Sequence, residues 1–216
     1  MPRPTMAVAL AATLGLSAAG WVYTVREMAG MMNMGVTTQL GSFASFTALW
    51  IPMTAAMMLP GAAPAVLRDA RARGSLRAVP LFVGSYLAVW ALVGAAVFVV
   101  YRPHGTITAG VVVITAGVYE STPFKQHCRR RCHEERPPRI RYGASCVGSS
   151  IGLMLMMVAL GIMSVTWLGV IAVIGLTQRL LPARAAIDVP LALAIVGLGV
   201  LILVAPSAVP GLTPAM

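Results

Sequence analysis

Long apolar segments constrain the fold of this chain more than any other feature. A membrane-spanning helix needs about 20 mainly apolar residues. Seven such stretches lie at roughly 5–25, 43–66, 79–101, 107–126, 141–162, 165–182 and 189–206. Only 10% of the 216 residues are charged, against about 25% in an average soluble domain. The sequence therefore predicts an all-α fold, with residues 1–216 forming one polytopic transmembrane helix bundle of about seven helices.

Charge decides how the chain folds between Cys146 and Leu176. This run is almost entirely apolar, too long for one crossing and tight for two. A turn near residues 164–166 would bring Arg179 and Arg184 to the cytoplasmic side, as the positive-inside tendency requires. We therefore predict two helices joined by a hairpin turn.

The basic residues also predict the orientation. With the N-terminus in the cytoplasm, 14 of the 16 basic residues are cytoplasmic, and only Arg26 and Arg102 lie outside. The net charge of +10 is thereby explained by loops at a bacterial inner membrane, without a nucleic-acid partner. Alternatively, segment 5–25 is a cleaved signal peptide, since Leu16–Gly20 offers a small-residue cleavage region.

The run HCRRRCH, residues 127–133, combines two thiols and two imidazoles. Cys128 and Cys132 are four residues apart and share a face if the helix continues that far. Cys146 begins the next segment, so a loop of about a dozen residues can bring three thiols together. Three thiolates suit Cu(I) or, as the weaker candidate, Zn²⁺. His127 and His133 are alternative ligands.

The three arginines within this run, Arg129 to Arg131, do not exclude a metal. Nearby positive charge favours the thiolate form of cysteine. Two other interpretations stay open. The arginines can simply contact anionic lipid, where each basic residue gains about 1 kcal/mol, or Cys128 and Cys132 can form a redox pair.

Methionines form a second group of soft donors. Met28, Met31, Met32 and Met34 crowd the loop after the first segment. Thioethers bind Cu(I) without losing a proton, so an external copper site is chemically reasonable there.

Inside the bundle, further methionines lie on helical stripes, Met53 with Met57 and Met154 with Met157. These stripes either connect the external methionines to the thiols or fill an irregular core, which is a common use of methionine.

Glu120 is the one acid within a predicted span. It either carries a proton or a compensating charge, or pairs with Lys125 or an arginine of the loop. Pro60 and Pro123 predict breaks or kinks in their helices. The sequence contains no paired carboxylates, nucleophile–base pair or phosphate-binding glycine loop, so nothing supports a hydrolase or transferase.

Four ordered motifs resemble one family over about residues 20–185. They are WIPMTAAMMLPGAAP at 50–64, FVGSYLAVW at 82–90, AGVYESTPFKQHCRRRC at 116–132 and GASCVGSSIGLMLMMVALGIMSVTW at 143–167. The chain resembles a bacterial family of predicted metal-binding integral membrane proteins, a domain of unknown function sometimes labelled copper chaperone. The resemblance implies a membrane protein linked to copper.

The chain departs from this family pattern at two places. Ser149 and Ser150 occupy the positions where the family usually has a Cys-Cys pair, and Glu120 stands where it commonly has glutamine. The serines remove two soft ligands.

We expect a protein that binds, transfers or transports Cu(I) through external methionines and cytoplasmic cysteines, in contact with the bilayer and a copper-receiving protein. The alternative is a non-catalytic accessory or scaffold subunit of a membrane complex with a degenerate metal site.

Overall fold

The computed structural model describes residues 3–29, 39–132, 139–161, 164–181, 185–210 and 212. Within these ranges the fold is all-α, as predicted, with eight α-helices and no strand. The helices are α1 (Arg3–Ala29), α2 (Phe43–Arg73), α3 (Ala78–Val100), α4 (Thr106–Glu120), α5 (Pro123–Cys132), α6 (Arg139–Leu160), α7 (Val165–Leu180) and α8 (Ala185–Val204), followed by a short 3₁₀ turn at Pro206–Ala208.

Four of these helices, α1, α2, α3 and α6, are long and apolar enough to cross a membrane. Helices α4 and α5 together make a fifth candidate span, bent by 64° between them. The apolar helices at Val165–Leu180 and Asp188–Val204 are shorter. Seven apolar segments are therefore found at the predicted places, but seven spans are not confirmed.

The outer faces of the helices are apolar. Leu81, Leu92, Val100 and Ile107 are each at least 60% exposed. Exposed apolar surface on this scale is typical of a face that contacts lipid or another protein. Polar side chains are instead drawn inward, where they form the buried clusters described below.

Helix α2 runs unbroken through Pro52, Pro60 and Pro64, so of the break or kink predicted at Pro60 the break does not occur. A proline leaves the carbonyl four residues earlier without its helical donor. For Pro60 this carbonyl belongs to Ala56, and Ser17 of α1 donates its hydroxyl to it at 2.8 Å. A neighbouring helix thus supplies the lost hydrogen bond, which is how spanning helices tolerate proline.

Helices α2 and α6 lie at the centre of the bundle. Helix α2 packs against α1, α3 and α7, and α6 packs against α3, α4, α5 and α7. The predicted hairpin is confirmed, because Ser164 caps α7 and α7 returns alongside α6. Arg179, near the end of α7, donates to the Ser150 hydroxyl at the middle of α6, at 2.9 Å.

The predicted fourth helix is divided at Ser121 and Thr122, directly before Pro123. The bend of 64° turns α5 back over α6. Contact is close, because a Cβ at position 148 of α6 would lie 2.6 Å from the Cys128 sulfur. Gly148 therefore makes room for α5, which carries most of the HCRRRCH run, against the beginning of α6.

Candidate metal-binding site

Two thiols meet where α5 ends and α6 begins. The sulfur of Cys132, the last residue of α5, lies 3.5 Å from the sulfur of Cys146. Cys146 is fully buried, whereas Cys132 is partly exposed. All three cysteines are free thiols. The bend before α5 is what brings together two cysteines that are fourteen positions apart.

Hydroxyl groups complete the surroundings of these thiols. Tyr86 of α3 and Tyr142 of α6 lie near the Cys146 thiol. Ser149 donates to the Cys146 carbonyl at 2.9 Å, and its hydroxyl lies 3.9 Å from the Cys132 sulfur. One position where the resembled family has cysteine is thus adjacent to the thiol pair.

A guanidinium lies beside the same thiols, on the wall that it shares with Cys132, and has no carboxylate partner in the part of the chain that the structure describes. Arg179 donates to the hydroxyl of Tyr86 at 2.8 Å, to that of Ser150 at 2.9 Å and to the carbonyl of Met58 at 3.2 Å. Its Nε is buried without a partner among the described residues. The hydrogen-bond partners of Arg179 are therefore all neutral. As long as the thiols are protonated, none of these groups offsets its positive charge. We call Cys132, Cys146, Ser149, Ser150 and Arg179 the thiol site.

The thiol site fits a soft ion held by two sulfurs. With metal–sulfur bonds of about 2.3 Å, a tetrahedral angle requires sulfurs about 3.8 Å apart and a linear arrangement about 4.6 Å. The observed 3.5 Å is close to the first value. Among the described residues, no group of three or more His, Cys, Asp or Glu side chains is placed to hold an ion. The predicted three-thiol cluster is therefore not assembled there.

A second buried cluster lies beside the thiol site, and every ion in it is matched. Lys125 pairs with Glu120, and both side chains are fully buried. Gln178 donates to the same carboxylate at 2.7 Å, while Arg129 pairs with Asp188 at 2.5 Å. This charge-paired network of Glu120, Lys125, Arg129, Gln178 and Asp188 confirms the pairing alternative for Glu120. It joins α4, α5, α7 and α8.

The other predicted site residues lie apart from the thiol pair. Cys128 is buried against Gly148, and His127 is exposed. Met28 is buried at the end of α1. The core methionines of both predicted stripes are buried; they are Met53, Met57, Met154 and Met157.

Four predicted ligands lie outside the described residues: His133, Met31, Met32 and Met34. For these the sequence-based expectation stands as a prediction.

Sequence reasoning missed Arg179, Tyr86 and Tyr142 as members of the site. Arg179 was used only to orient the chain. One signal was present, because an arginine that interrupts an apolar run is a functional candidate when the run lies in a membrane. The tyrosines gave no comparable signal, since Tyr86 meets Arg179 across 93 positions of the chain.

A model of a protein family matches residues 47–202, more than two thirds of the chain. It is described as PpoB2, copper chaperone. The chain belongs to this copper chaperone family. The match covers α6, all but the first four residues of α2 and every residue of the thiol site, and the family suggests a copper-related function for the chain. No curated protein and no solved structure matches the chain.

Proposed function

We propose that this protein binds Cu(I) as cargo between Cys132 and Cys146 and passes it to a copper-receiving protein. The observation that carries the proposal is the 3.5 Å separation of the two sulfurs inside the family match. Cu(I) is a soft ion that thiolates select. Handling of copper, rather than chemistry on a substrate, is the role of this site.

Charge favours Cu(I) over Zn²⁺. Two thiolates and one Cu(I) carry a net charge of minus one, which the single guanidinium of Arg179 balances. With Zn²⁺ the same thiolates are already neutral, and Arg179 is left uncompensated. Structural zinc also takes four protein ligands, whereas the described part of the chain offers two thiols and a serine hydroxyl here.

We place the protein in the bacterial inner membrane, with the N-terminus and the thiol site on the cytoplasmic side. The apolar outer faces of the helices support a lipid environment. The ends of α2 and α7 and the start of α6 carry the basic residues, which favours the cytoplasm for this end. Met28, Met31, Met32 and Met34 then lie outside, where thioethers capture Cu(I) before transfer.

The decisive experiment is anaerobic Cu(I) loading of the detergent-purified protein under reducing conditions, followed by elemental analysis. We expect the wild type to retain copper and Cys132→Ser/Cys146→Ser to lose the ion at the thiol site. Cys128→Ser is the matched control, because this buried thiol faces Gly148; we expect it to retain copper. Substituting the four external methionines by leucine reports separately on capture.

A gain-of-function variant strengthens the test. Ser149→Cys places a third sulfur where a hydroxyl now lies 3.9 Å from Cys132. We expect tighter Cu(I) binding in competition with a chelator. If the wild type retains no copper and Ser149→Cys gains none, the proposal is overturned in favour of an accessory subunit with a degenerate site.

A further inference from the structure

A cavity of about 170 Å³ lies directly beside the thiol pair. Its wall includes Cys132, Ser149 and Tyr142, together with three arginines, Arg68, Arg129 and Arg179. The arginines come from α2, α5 and α7, so three separate helices aim positive charge at one small volume. Cys132 is the only cysteine on the wall.

Among the residues that the structure describes, no carboxylate lines this cavity. Asp188 neutralises Arg129, and the nearest acid along α2, Asp69, is held by Arg73 and Arg139. Glu120 is bound to Lys125. Arg68 has no acidic partner among the described residues, and Arg179 meets only neutral groups. Two arginines of the described wall, Arg68 and Arg179, are therefore without an acidic partner in the described part of the chain, and their positive charge repels a bare copper ion.

We propose that this cavity is a binding site for the anionic end of a small thiol carrier, which delivers Cu(I) as a thiolate complex. The carrier's carboxylate lies against Arg68 and Arg179, and its sulfur faces Cys132. The proposal rests on the proposed copper function for the nature of the cargo. It adds the chemical class of the donor: a small thiol that also bears a carboxylate.

The exchange balances in atoms and charge. The donor complex holds Cu(I) between the thiolates of two carrier molecules, one of which places its carboxylate in the cavity. Its two Cu–S bonds break, and two form to Cys132 and Cys146. The protons of the two cysteine thiols move to the departing carrier thiolates. Copper stays Cu(I) throughout, so no oxidant or reductant is needed.

The size of the cavity limits the carrier. A cavity of about 150 Å³ accommodates benzene, a molecule of six heavy atoms. A carrier head such as 3-mercaptopropionate also has six heavy atoms, and it combines the required thiol and carboxylate. We use this compound as the probe.

A metal-free experiment tests the anion site directly. Iodoacetate and iodoacetamide both alkylate a thiolate, with formation of an S–C bond and loss of iodide, but only iodoacetate is an anion. The rate ratio of the two reagents at Cys132 is measured by peptide mass spectrometry, in neutral detergent free of anionic lipid. We expect the ratio to be about tenfold higher in the wild type than in Arg68→Gln, at the lower end of the rate effects of charged clefts.

Two controls separate local from general charge effects. Arg68→Lys keeps the cation and should keep most of the ratio. Arg102→Gln removes a positive charge from the opposite end of the bundle and should leave the ratio unchanged. Should Arg68→Gln fail to fold, propionate is added to the wild type instead. It should slow alkylation of Cys132, whereas neutral propionamide of the same size should not, and equal inhibition by the two compounds or none overturns the site.

A copper experiment then tests the carrier. We expect the wild type to take up Cu(I) about tenfold faster from 3-mercaptopropionate than from uncharged 2-mercaptoethanol, as for steering of an ion into a charged cleft. Equal rates overturn the anionic carrier and leave the copper function intact. No uptake from either donor overturns the copper function and this carrier with it, while the alkylation ratio still decides whether the cavity selects anions.

Discussion

The charge-paired network and the thiol site lie side by side at one end of the bundle, and both bury positive charge. In the network, each cation has a carboxylate: Lys125 has Glu120 and Arg129 has Asp188. In the thiol site, Arg179 has hydroxyls, a carbonyl and two thiols.

The difference distinguishes a structural cluster from a binding site. In the network the charges are paired, although Glu120 Oε1 is itself buried without a hydrogen-bond partner among the described residues. These ions join helices α4, α5, α7 and α8. A buried cation without an anion costs free energy, and binding of an anion nearby lowers that cost. In the copper-loaded site that we propose, the thiolates of Cys132 and Cys146 supply the missing negative charge.

The largest expected effect comes from breaking the network. Glu120→Gln leaves Lys125 buried without its anion, and we expect the free energy of unfolding to fall by about 3–5 kcal/mol, as for other broken buried pairs. Denaturant unfolding in detergent, followed by circular dichroism, measures the change.

The matched control is the double variant Glu120→Gln/Lys125→Met. It removes the cation as well and keeps an acceptor for Gln178, so most of the stability should return. A double variant as unstable as Glu120→Gln would show that the pairing of charge is not what the network contributes.

The next effect concerns function more than stability. In Arg179→Gln the copper-loaded thiol site keeps its negative charge but loses the balancing cation. We expect Cu(I) affinity to weaken about tenfold or more, since a close charge pair near a protein surface is worth several kcal/mol. Chelator competition measures this.

Arg179→Lys should retain more affinity than Arg179→Gln, because it keeps a cation near the thiols. If both variants bind copper as tightly as the wild type, Arg179 does not balance the charge of the loaded site. The difference in charge pairing between the two clusters would then not explain copper binding.

The smallest effect is expected at the surface. Arg73 pairs with Asp69, but the Arg73 side chain is 58% exposed. Exposed pairs contribute about 0–1 kcal/mol, so Arg73→Ala should scarcely change the unfolding midpoint. A loss as large as that of Glu120→Gln would mean that burial does not separate the two classes of ion pair.

Much of the fold was predictable from local patterns. Apolar runs located every helix except the polar α5, Pro123 marked the bend before α5, and the serine near position 164 marked the turn between α6 and α7. Each of these signals acts within a few residues along the chain. A break at Pro60 was the wrong expectation. The hydroxyl that replaces the lost helical hydrogen bond to the Ala56 carbonyl belongs to Ser17, 39 positions away.

The candidate site was predictable only in part, for the same reason. Cys132 and Cys146 were expected to approach, since a short loop separates them. The positions of Arg179 and Tyr86 depend on how α7 and α3 pack in the bundle. The helical periodicity of hydrophobic residues within one segment does not predict such packing. Gly61 shows this well: a Cβ there would lie 2.5 Å from the Arg179 side chain, so a glycine on α2 makes room for a residue of α7.

The bend before α5 makes that helix a lever. Ten residues at 1.5 Å each give an arm of about 15 Å, with the pivot at residues 121–122 and the Cys132 sulfur at the far end. A rotation of about 5° moves the tip of such an arm by about 1.3 Å. That displacement covers the step from bent to linear two-sulfur coordination, which requires sulfurs about 4.6 Å apart. A small rotation of α5 alone is thus enough to switch the two sulfurs between the geometries for capture and release of the proposed Cu(I) cargo, while α6 and its Cys146 stay in place.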